Sequence, residues 1–147
     1  MNLAEAKALL AELAREFEHV DTAVGVGGRR PNTVAYVRVS ARNDPDTFAI
    51  VSTPGVGTFE LEVSGGFYTG MADDQASDDD VREYVQKYLD AAVAYVDGRW
   101  SESKSRLFRV PVVTVYAPDG ALNLASQGWP STNSARTRRT QPPATAD

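Results

Sequence analysis

The chain has 147 residues, 42% hydrophobic and 24% charged, which suits a single globular domain that can bury its own core. It has no cysteine, so a disulfide framework, a thiol nucleophile and a thiolate metal site are excluded, and a cytoplasmic protein fits best. Residues 1–126 hold 12 Lys/Arg against 19 Asp/Glu, an acidic body that repels phosphate backbones and favours a basic protein partner over nucleic acid.

The N-terminus, MNLAEAKALLAELAREFEH, lacks the basic-then-apolar layout of a signal peptide. No apolar run in the chain approaches the roughly 20 residues of a membrane span, so no membrane association is expected. Asn2 and Glu5 form a capping pair for a first helix whose apolar stripe is Leu3, Ala6, Leu10, Leu13 and Phe17. Residues 20–26 read as a short strand. GVGGRRPN then turns the chain. Because this glycine loop leads into a strand and not a helix, it reads as a hairpin loop rather than a phosphate cradle.

From Thr33 the hydrophobic period changes from 3.6 to 2. VAYVRVSA puts Ala35, Val37 and Val39 on one face and Tyr36, Arg38 and Ser40 on the other. RNDPD is a turn cluster, TFAIVST a second strand of this run and PGVG a tight connection. TFELEVS follows, with Phe59, Leu61 and Val63 inward and Thr58, Glu60, Glu62 and Ser64 toward water. Short links and one dry face predict an antiparallel meander covered on one side by helices. Gly65 and Gly66 break the meander, and FYTGM reads as either a fourth short strand or an exit loop.

The stretch from Ser77 to Asp97 is the organising helix. Val81, Tyr84, Val85, Tyr88, Leu89, Ala92, Tyr95 and Val96 fall three and four residues apart. Ser77 and Asp80 form a capping pair, Asp78, Asp79 and Asp80 meet the positive end of the helix dipole, and Gly98 stands at a left-handed C-cap. After it, RWSESKSR reads as a loop and LFRVPVVTVY as strand, where Pro111 implies an edge, a bulge or two short pieces. APDG turns the chain into a last strand, ALNLA. The expected architecture is one α+β domain over residues 1–126: an antiparallel meander sheet, two amphipathic helices on one face and a C-terminal β-hairpin. Residues 127–147, rich in Pro, Ser, Thr and Arg, read as a disordered tail.

Candidate chemistry is sparse. His19 is the only histidine and sits beside Glu18 and Asp21 near a helix end, where a structural role suffices. Asp73, Asp74, Asp78, Asp79 and Asp80 can be solvated caps, a contact patch for a basic partner or a hard-cation site, although their spacing does not match the calcium-loop pattern. Trp100, just past the helix cap, is either an interface anchor or a lid on the core. Glu60 and Glu62 share a face predicted to meet water, where nothing would raise a pKa for acid/base work. No enzymatic constellation, cofactor motif or metal site emerges, and oligomeric state is not encoded in any motif.

The segments DVREYVQKYL (residues 80–89), RLFRVPVV and APDGAL, within this helix–meander–helix–hairpin layout, resemble small α+β immunity proteins of bacterial polymorphic toxin systems. The resemblance spans about 50 residues. It implies an acidic cytoplasmic protein that occludes the active site of a toxin, and it carries no functional residue over to this chain. The order of elements with acidic charge also resembles secretion chaperones that act as homodimers, although their final helix is missing here. An enzyme using carboxylate chemistry is the third class, with no positive feature in its favour.

Overall fold

The computed structural model describes residues 1–28 and 32–126. The disordered-tail expectation for residues 127–147, with Trp129 and the tail arginines, therefore lies outside the described residues. Among them the chain forms helix α1 (Leu3–Ala14), strands β1 (Asp21–Gly27), β2 (Val34–Ala41), β3 (Asp44–Thr53), β4 (Gly57–Val63) and β5 (Phe67–Asp73), helix α2 (Asp78–Val96), and strands β6 (Trp100–Lys104), β7 (Pro111–Ala117) and β8 (Gly120–Ser126). All eight strands join one antiparallel sheet in the order β1-β2-β3-β4-β5-β8-β7-β6. The α+β architecture predicted from the sequence is present, with the C-terminal β7–β8 hairpin extended by a third strand, β6.

Both helices pack on one face, α1 over β1 and β2, α2 over β3, β4 and β7. The dry rows of the strands meet them there. Ala35, Val37, Val39, Val51, Phe59, Leu61 and Val63 are buried in one cluster with Leu10 and Leu13 of α1 and Val81, Val85 and Leu89 of α2. Phe59, Leu61 and Val63 point inward as the alternation requires, while Glu60 and Glu62 are half-buried on the opposite face. Phe17 lies beyond the end of α1, which stops after Ala14 in tight turns, and it is half-buried instead of fully buried.

The helix ends form as their residues dictate. Asn2 accepts from the Glu5 amide (2.9 Å) while the Glu5 carboxylate accepts from the Asn2 amide (2.8 Å). Ser77 and Asp80 repeat that exchange at α2. At the other end of α2, Gly98 takes φ +82°. The Arg99 amide there donates to the Ala94 carbonyl and the Gly98 amide to Tyr95 (2.8 and 3.0 Å), the paired bonds of a Schellman cap. Residues 91–96 of α2 are buried on every side. The helix is a core element more than a cover.

Three local expectations are corrected, and the open reading of FYTGM resolves to its strand alternative. RNDPD is not one turn: Arg42–Asn43 turn the chain, Ala41 pairs with Asp44, and Pro45–Thr47 bulge out before Phe48 pairs with Ser40. Pro45 has no amide to give the ladder, and the Arg38 guanidinium takes its carbonyl instead (2.9 Å). FYTGM belongs to a full strand, β5. WSESK, expected as loop, is the edge strand β6, and its exposure throughout explains the missing apolar alternation. Leu107 and Phe108, expected in a strand, sit in the turn between β6 and β7, and β7 begins at Pro111, where a missing donor costs nothing.

The helix-free face is also drier than its sequence suggests. Tyr36, Ser40 and Ile50 are buried there. Gly25 makes room for Tyr36, whose hydroxyl lies 2.7 Å from where a Cβ on that glycine would stand. Ile50 lies in register between Arg38 and Glu62, and the Arg38 guanidinium stacks over Phe48 at 4.3 Å. Long side chains close this part of the face without a third layer.

Candidate functional site

The acidic cluster assembles where β5 passes into α2, beside the β3–β4 turn, but its members do different work. Asp73 ends β5 opposite Gly57 and accepts from the Tyr84 hydroxyl (2.7 Å) and the Gln75 amide (3.0 Å). That hydrogen bond, reinforced by partial burial and the Asp73 charge, pushes the Tyr84 phenol up to about 12. The Tyr84 ring meets Phe59 edge-on at 5.2 Å, which ties the cluster to the core. Asp80 is held by Ser77, first through the backbone amide and then the hydroxyl, and these bonds hold its carboxyl below the usual range.

Asp78 lies 3.3 Å from the Met1 amino group with its side chain 75% exposed. Asp74 and Asp79 are exposed. Val56, 51% exposed, lies in the β3–β4 turn, whose Gly55 packs against the Met1 and Asn2 carbonyls and whose Gly57 stands beside Asp74. Asp73 and Asp80 are therefore structural, Asp78 pairs with the Met1 amino group, and Asp74 and Asp79 are exposed. Arg82, next along the helix, is bound to Glu12 of α1, and that contact holds the Glu12 carboxyl below its usual value.

Trp100 is not part of this site. It opens β6, four residues past the last residue of α2, so about 28 Å of helix separates it from Asp78. Its ring stacks on Tyr95 (5.2 Å, 25°) and stays 39% exposed, half lid and half surface. His19 fastens the α1–β1 connection to the end of α2: its Nε2 lies 2.9 and 3.0 Å from the two Asp97 carboxylate oxygens, with Arg99 3.6 Å from the same group. Among the described residues, no group of three or more His, Asp or Glu is placed to hold a metal ion. No helix there is long and apolar enough to cross a membrane.

Two features escaped the sequence reading. The first is a recess of about 70 Å³ between α2 and the β7–β8 turn, lined by Lys87, Asp90, Ala91 and Asp119 among others. Burial raises the Asp90 carboxyl, Asp119 and Glu16 add to the rise, and a bond from Gln86 (3.0 Å) opposes it. An acid inside the apolar run LDAAVAYV was the available signal. The second is the β6–β7 turn, where Leu107 and Phe108 are 81% and 65% exposed. Residues 99–110 carry Arg99, Lys104, Arg106 and Arg109 against Glu102 alone, a basic arm on an acidic body. Comparison of the chain with protein-family models, curated proteins and solved structures finds no match.

Proposed function

We propose that this protein is a non-enzymatic binding module that docks a basic protein segment on the amino end of α2. The observation that carries the reading is the division of labour among the aspartates. Asp73 and Asp80 hold the scaffold, while Asp74, Asp78 and Asp79 are exposed, Asp74 beside the turn that carries the exposed Val56. An exposed apolar residue with exposed carboxylates at the same end of the molecule suits a partner bearing a hydrophobic residue beside cations. An inhibitor of the immunity type, neutralising a basic enzyme, is the form of this function that the sequence resemblance implies.

The test uses a partner recovered by affinity capture and stopped-flow association with the variant Asp74→Asn, Asp78→Asn and Asp79→Asn combined. Asp73 and Asp80 stay untouched so that folding is not confounded. Association slows about tenfold at low salt, because long-range charge acts mainly on the on-rate. The deficit shrinks once the Debye length falls to about 8 Å. A variant that associates as fast as the parent at low salt returns these residues to plain solvation of the helix end.

A further inference from the structure

Strands β5 and β8 are neighbours in the sheet, yet they pair over only Phe67↔Ser126 and Tyr68↔Ala125. Beyond those two pairs, Thr69–Asp73 pair with β4 alone, and Gly120–Leu124 pair with β7 alone. Two runs of five residues thus leave the closed end of a notch with their facing backbone edges unpaired among the described residues. Alternate residues on each run aim an N–H and a C=O into the gap. Helix α2 spans its floor: the Tyr84 and Tyr88 hydroxyls bond to Asp73 and Thr69 of β5, while Lys87, Asp90 and Ala91 line the recess against the β7–β8 turn.

We infer that this notch is a strand-addition site, in which an extended segment of a basic partner pairs with the free edge of β5 at Thr69–Asp73. The side chains around the gap define the segment. On the open face the rims are Gly70 and Ala72 of β5 and Ala121 and Asn123 of β8, exposed and mostly small, with the Glu60 side chain of β4 lying over Gly70. On the helix side the half-buried Met71 and Leu122 offer apolar contacts to every second residue of an incoming strand. Asp74 and Asp119, both exposed, flank the mouth. The matching ligand alternates apolar residues facing α2 with cationic residues facing water. Main-chain bonds to β5 give it affinity, and the alternation gives it register. The inference rests on the reading that this end of the molecule takes a basic protein, and it specifies how the segment binds.

The experiment adds a seven-residue Lys-Val alternating peptide, and the same peptide N-methylated at alternate amides, to the isotope-labelled full chain. Amide exchange and titration shifts are followed by NMR. The expected result is exchange slowed about tenfold or more at alternate amides of Thr69–Asp73, with binding weakened at least about tenfold by N-methylation, since each lost main-chain bond removes roughly 1 kcal/mol. Equal binding of both peptides, with shifts confined to Val56, Asp74, Asp78 and Asp79, overturns strand addition and leaves the acidic-end reading standing. Absence of binding by the unmodified peptide at millimolar concentration also overturns strand addition. The acidic-end reading is then judged by the association rates alone.

Discussion

The five strands before α2 and the three after it join one sheet, yet they bury very different amounts. In β2, β3 and β4 the inward rows are almost wholly inaccessible, from Ala35 through Val63. Of β6, β7 and β8, only Val113, Val115 and Leu124 are buried, and β6 is exposed from end to end. Strand propensity does not explain this, because the most β-branched run of the chain lies in β7. Helix reach does: α1 and α2 together cover the first four strands, and only α2 extends to β7. A strand in this fold is as buried as the helix above it allows.

Core truncations break that comparison most directly. Leu61→Ala and Leu89→Ala are each expected to cost about 2–5 kcal/mol in urea unfolding. Leu124→Ala should fall at the lower end of that range, because its thinner surroundings relax more easily into the gap. A Leu124→Ala loss equal to that of Leu61→Ala would mean that the two halves of the sheet are packed alike.

Gly98 is the hinge through which α2 enters the sparsely covered half. Nothing lies within 4 Å of the place a Cβ would occupy there, so Gly98→Ala isolates the left-handed backbone cost, expected at about 1–2 kcal/mol. A change near zero in thermal unfolding would show that the cap does not set the α2–β6 geometry.

At the opposite end of α2, Ser77→Ala is expected to cost about 1 kcal/mol. The parent should also lose more stability in acid than this variant. Asp80 has a depressed carboxyl pKa in the folded chain, so its contribution is present above the unfolded value and disappears as pH falls through the folded one. Parallel acid limbs for parent and variant, measured by fluorescence from pH 5 to about 2, would detach the cap from that carboxylate. The smallest effect belongs to the exposed turn: Leu107→Ser should change stability by less than about 0.5 kcal/mol. A larger loss would place Leu107 in packing that its exposure does not show.

Both helices and their caps were legible, because capping pairs and 3.6-residue stripes are local signals, and the inward row of β4 was legible from its alternation. The strand order was not, since β8 meets β5 through contacts almost 60 residues apart and only two residues long. WSESK hid its strand because an edge beyond the helices gives selection no dry face to mark. The acidic cluster was visible as composition. Which aspartates are already occupied depends on Tyr84 and the capping geometry, and the apolar stripe marks the Tyr84 ring without its hydroxyl. Trp100 lies apart from the cluster because about 28 Å of helix separates them, a length that no local pattern marks.

The two-pair joint between β5 and β8 also sets how the molecule responds to load. The β4–β5 ladder carries seven residue pairs and the β7–β8 ladder six, so a force drawing the strands apart meets its least resistance where two pairs stand alone. Under tension applied across the sheet, this joint should part first, with α2 left as the tether between two intact pieces. Anything that binds across the same joint would then stiffen the whole molecule, a gain readable as a higher rupture force.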